Sequence, residues 1–62
     1  MTTTTWTRWA FITTGCIVLL ANGPASVAWM ARDMDRGWTT FGFEDGTQVE
    51  VRGSWDVQKV LG

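Results

Sequence analysis

A chain of 62 residues with five basic and six acidic side chains, no histidine and a single cysteine is at most one small domain. It lies near the size below which a hydrophobic core needs outside help to hold a chain together. Cys16 has no partner for an internal disulfide, and without histidine the usual zinc ligand sets cannot be assembled. A net charge of −1 supplies no basic field and argues against nucleic acid as a partner. The charges are also uneven: Arg8 is the only one before Arg32, and all six acidic residues follow it.

Residues 1–8 are rich in threonine and poor in apolar side chains, and read as a flexible N-terminal tail. From Trp9 to Ala31 the chain carries no charge. As a helix, the stretch from Trp9 to Trp29 would extend roughly 30 Å, the thickness of a bilayer's hydrocarbon core. Trp6 and Trp9 stand at one end and Trp29 at the other, where indole rings settle at a membrane interface. Residues 9–31 are therefore expected to form one transmembrane helix, kinked near Pro24 because proline frees a backbone carbonyl. On that helix Ala21, Ala25 and Ala28 would form a smooth strip for a second helix to approach.

Two other readings use the same residues. Arg8, the apolar run and the small residues Ser26-Val27-Ala28 resemble the three regions of a secretory signal, with an exported peptide as the product. Alternatively, Asn22-Gly23-Pro24 ends one soluble helix and begins another, whose stripe is Val27, Met30, Ala31 and Met34.

Residues 32–37 read as a charged juxtamembrane linker before a small extramembrane unit, 38–62. Trp38 to Phe43 and Thr47 to Arg52 are strand-like runs around Glu44-Asp45-Gly46, a hairpin signal. A two-residue Asp-Gly turn would set Phe41 opposite Glu50 and split the apolar residues between faces. A three-residue loop with Gly46 left-handed instead pairs Phe43 with Thr47, Phe41 with Val49 and Thr39 with Val51, so the large apolar residues share one face. After Gly53, Ser54 is suited to cap a short helix over 55–61, completing a ββα unit. The expected fold class is thus α+β: one long kinked helix, a β-hairpin and a short C-terminal helix.

Little here is suited to chemistry. Without histidine no Ser-His-Asp or Cys-His set exists, and Cys16 lies in the apolar run with no neighbour in sequence to activate it. Asp33, Asp35 and Glu44 have the spacing of calcium-loop positions, but Gly37 and Trp38 occupy places that need a ligand and a glycine. No enzyme activity, cofactor or metal is expected. The reading these features favour is a single-pass membrane protein, its orientation left open by nearly balanced flanking charge. It would serve as an accessory or assembly subunit of a larger membrane protein complex, in contact with the lipid bilayer, with Trp38 and Trp55 offered to a partner. The alternative is a small soluble helix-plus-hairpin binding protein, an inhibitor or adaptor.

Overall fold

The computed structural model describes residues 3–61. Met1 and Thr2 of the expected tail, and Gly62 of the expected C-terminal unit, lie outside the described residues. Six strands run in chain order: β1 (Thr4–Arg8), β2 (Ile17–Leu20), β3 (Gly23–Asp33), β4 (Trp38–Phe43), β5 (Gln48–Val51) and β6 (Asp56–Val60). A single turn of 3-10 helix, Trp9–Phe11, is the one helical element among the described residues. The strands pair antiparallel in the order β1-β6-β2-β3-β4-β5. The expected α+β class is therefore corrected to an all-antiparallel β sheet.

The charge-free run resolves into β2 and the first part of β3, joined where the membrane helix was expected to kink. Leu20 faces Gly23 across the ladder, which leaves Ala21-Asn22 in the turn. Neither of those residues has positive φ, whereas Gly23 takes φ +114°, a conformation that glycine adopts without a Cβ penalty. The chain thus reverses over Ala21-Asn22, and Gly23 and Pro24 already belong to β3. No helix among the described residues is long and apolar enough to cross a membrane. That overturns the transmembrane helix over 9–31, the single-pass membrane localisation and the accessory-subunit reading built on it.

Pro24 stays in a strand because its missing N–H faces nothing. The Val27 N–H donates to the Cys16 carbonyl at 2.9 Å, and the Val27 carbonyl accepts from the Gly15 N–H at 2.9 Å. By the alternation of an antiparallel ladder, Gly23 and Ala25 also address β2 while Pro24 and Ser26 address the other side. The Ser26 carbonyl does so, accepting from the Glu44 N–H at 3.0 Å. Proline is tolerated at such edge positions and blocks further pairing there.

β3 is the long strand that divides the sheet. Gly23–Ser26 pairs with β2, whereas Val27 onward pairs with β4, and the register slips between Val27 and Trp29. A bulge of this kind bends the strand and raises its twist. The result is two leaves: β1, β6, β2 and the start of β3 form the first; the remainder of β3 with β4 and β5 forms the second. Val18 and Val57 from the first leaf meet Val27, Phe41, Phe43 and Val51 from the second in one buried cluster, closed by Trp9 and Ile12. Trp9 is held there by its N–H to the Trp55 carbonyl and by the neighbouring Ala10 N–H to the Gly53 carbonyl, both 3.0 Å. Its ring lies 5.0 Å from that of Phe41 at a tilt of 37°, within the favourable range for aromatic pairs.

The central hairpin forms in the register that gathers its apolar residues. Phe41 faces Val49 and Thr39 faces Val51. The Phe43 N–H donates to the Thr47 carbonyl, and Gly46 closes the three-residue loop at φ +91°. The charged linker is a tight turn between β3 and β4: the Gly37 N–H donates to the Asp33 carbonyl and the Arg36 N–H to the Asp33 carboxylate.

The short C-terminal helix is corrected to a strand, and an interior one. A seven-residue helix gains too few hydrogen bonds to offset its nucleation. As β6 the same residues pair on both sides, with β1 through Thr4–Arg8 and with β2 through Val18 and Leu19. The threonine-rich stretch expected to be flexible supplies β1. Threonine and tryptophan suit a pleated strand, but the partner that orders them lies at the far end of the sequence.

Candidate interaction surfaces

Strand alternation places every second residue of the second leaf on its outer face, away from the core. Pairing aligns these residues in rows: Trp29 beside Gly42 and Gln48, Ala31 beside Thr40 and Glu50, and Asp33 beside Trp38. Arg52 follows the last residue of β5, and its guanidinium carbon sits 4.5 Å from the centre of the Trp38 ring. Trp55, in the connection to β6, meets the same ring edge-on at 5.5 Å and 90°. The three side chains form a stack drawn from β4, the end of β5 and the β5–β6 connection. Trp55 remains 46% exposed. Among the described residues Arg52 makes no ion pair, so no carboxylate occupies its N–H groups while its guanidinium carbon lies over the Trp38 ring.

Trp29 occupies the other end of this face. Its ring lies on Gly42 so closely that a Cβ at that position would come within 2.0 Å of the indole. The glycine is a seat, and the ring above it is still 42% exposed.

The outer face of the first leaf is different. Trp6, Gln58, Leu19 and Pro24 form one row, and Thr4, Val60, Ile17 and Ser26 the next. Its one ion pair, Arg8 with Asp56 at 4.0 Å, is exposed at the margin, where such pairs contribute little.

The residues expected to act together are distributed by this architecture. Trp6 is exposed on β1, Trp9 is in the core, and Trp29 lies on the second leaf. Ala21 is in the β2–β3 turn, while Ala25 and Ala28 are on β3, so the helix that would align them is absent. Trp38 and Trp55 are brought into contact. Arg52 and Gly42 were not singled out from the sequence. Extending the hairpin pairing of Thr39 with Val51 by one residue puts Arg52 opposite Trp38, which is the signal that could have found it.

The ionisable groups are dispersed over the fold. Asp33 and Glu44 lie at opposite ends of β4, and no cluster of three potential metal ligands occurs among the described residues. Asp45 is held below its ordinary pKa, first by the Thr47 hydroxyl at 2.6 Å and then by the Thr47 N–H at 2.9 Å. This is the local bonding of a turn aspartate. Cys16 lies in an open cleft of about 490 Å³ with Lys59 and Thr14. Its thiol is lowered chiefly by a hydrogen bond from the Thr13 backbone; partial burial opposes the shift, and the Thr13 hydroxyl and Lys59 assist it. A second open groove, about 450 Å³, separates Pro24 and Ala25 from Thr47 and Val49, along the side of β3 that Pro24 leaves unpaired.

The fold and surfaces define a small all-β protein with an aromatic and arginine-bearing outer face. No protein-family model, curated protein or solved structure matches the chain.

Proposed function

We propose that the protein is a small binding module, not a catalyst, that engages a protein partner through the outer face of its second leaf. The stack of Arg52, Trp38 and Trp55 carries this reading. Tryptophan and arginine dominate the energetic centres of protein interfaces, because each buries a large area while keeping a polar group to orient the contact. Here they are assembled outside the core. The N–H groups of Arg52 suit a partner carboxylate, and the exposed edges of Trp55 and Trp29 suit apolar side chains on either side of it. This is the adaptor or inhibitor reading of the sequence, transferred from a helix-plus-hairpin to a folded sheet.

The test uses the full chain as bait in its native extract, beside the double variant Arg52→Ala, Trp55→Ala. Loss of the stack should lower stability by about 1 kcal/mol, so the variant stays folded by circular dichroism. The expected result is that a partner captured by the wild type is lost from the variant. A partner retained at equal yield would show that this face is not the contact.

A further inference from the structure

Among the described residues the strand order ends in two edges, β1 and β5, and only one has a charge near its middle. β5 is four residues long, and the edge-facing residue near its middle is Glu50, a charge that discourages pairing with another strand. β1 carries its one charge, Arg8, at its last position beside Asp56, and its middle has none. Its sequence, Thr-Thr-Trp-Thr-Arg, contains no proline or acidic residue, and its ladder to β6 runs through five consecutive pairs without a bulge. The Leu61 N–H donates to the Thr3 carbonyl and the Trp9 N–H to the Trp55 carbonyl, so odd-numbered residues here address β6. Alternation then directs the N–H and C=O groups of Thr4, Trp6 and Arg8 to the open edge. Trp6, the central residue of β1, is 69% exposed on the outer face.

The geometry points to β1 as a dimerisation edge whose occupant is β1 of a second copy of this chain, antiparallel about a twofold axis through Trp6. This register uses every outward-facing group of the strand. Trp6 meets Trp6 of the second copy, and Thr4 meets its Arg8, for about six main-chain hydrogen bonds across the junction. On the opposite face Thr5 meets Thr7, a favourable cross-strand pair, while the two indoles meet on the outer face. Charge selects among the registers. Centring on Arg8 would set two guanidinium groups face to face, whereas centring on Trp6 places each opposite a threonine and leaves it beside its own Asp56. Pairing β1 with β5 of another copy would generate an open chain of molecules and would bring Glu50 into the junction. The twofold pairing closes and leaves the Arg52-Trp38-Trp55 face uncovered, so it does not depend on the binding role proposed above.

Sedimentation velocity of the full chain over a concentration series tests the inference, with Trp6→Lys and Trp6→Glu alongside. Because Trp6 is exposed, both variants keep the core. Each should dimerise about tenfold or more weakly than the wild type, since like charges then face one another across the axis. An equimolar mixture of the two should form mixed dimers, because the charges become complementary. Wild-type protein that remains monomeric throughout, variants that dimerise as well as the wild type, or a mixture no better associated than its components would each overturn it. Amide exchange on the wild type is independent of any variant: protection of Trp6 should rise with concentration while that of Thr5 and Thr7 stays constant. A Trp6 amide insensitive to concentration would overturn the proposal as well.

Discussion

The two leaves share one core but have opposite outer faces. Inside, both present apolar side chains at period two: Val18 and Val57 from the first leaf, and Val27, Phe41, Phe43 and Val51 from the second. Outside, the first leaf shows Trp6, Leu19, Ile17 and Pro24, with charge confined to its margin. The second carries Trp29, Trp38, Glu50 and Arg52. Burial constrains the inner faces alike, because each must exclude water from the same small volume. The outer faces carry no such constraint, and it is there that the leaves diverge.

The comparison is most sharply broken by removing what joins the leaves. Phe41 is fully buried, lies on the second leaf and packs against Trp9, which follows the last strand residue of β1. Phe41→Ala should cost about 3–5 kcal/mol, and in so small a domain both leaves should unfold together. Thermal melts followed by circular dichroism and by tryptophan fluorescence would then shift in parallel. Separate transitions would show that the leaves have independent cores.

A smaller perturbation addresses the outer face of the second leaf alone. Gly42→Ala places a methyl group where the Trp29 ring lies, so the ring must swing away. A loss of about 1–3 kcal/mol is expected, with Trp29 emission moving to longer wavelength while the buried Trp9 and Phe41 contact persists. Unchanged emission and stability would contradict the seating of Trp29 on Gly42.

The smallest effect is in the β4–β5 turn. Because the folded Asp45 carboxyl is held below its unfolded pKa, its ionised form contributes stability above the ordinary aspartate range. That contribution is lost as pH falls through the depressed folded value. Thr47→Val removes the hydroxyl at 2.6 Å. It should raise the Asp45 pKa towards its ordinary value, as read by carboxyl chemical shifts in an acid titration. No residue of the first leaf bonds to the Asp45 carboxylate, so the change that Thr47→Val makes to the titration should be confined to the second leaf.

The legible part of the chain was the part governed by neighbours in sequence. Glu44-Asp45-Gly46, flanked by alternating apolar residues, specifies a turn and, through the shared face of Phe41, Phe43, Val49 and Val51, a register. Trp38 and Trp55 stood out as candidates there, and continuing that register leads to Arg52. The segment from Trp9 to Ala31 misled because a long charge-free run satisfies the length of a crossing helix as readily as two half-buried strands. Asn22-Gly23 was the discriminating signal: it marks a hairpin, closed here over Ala21-Asn22 with Gly23 at positive φ as the first residue of β3, and a kink at Pro24 explained the break too easily. Ile17, Val18 and Val27 added β-branched weight on the same side.

By itself, then, the sequence determined the central hairpin with its loop and register, and a composition without histidine and with one cysteine. Those depend on turn conformation, side-chain alternation and composition, all of which act over a few residues. Only the tertiary structure decided that Thr4–Arg8 is a strand, that Asp56–Val60 lies inside the sheet, and that β3 divides it into two leaves. β1 gains its ladder from residues some fifty positions away, and β6 gains hydrogen bonds on both sides that outweigh the weak helical tendency of the stretch 55–61. Long-range pairing of this kind has no local signature, because its free energy appears only when distant segments meet on a common core.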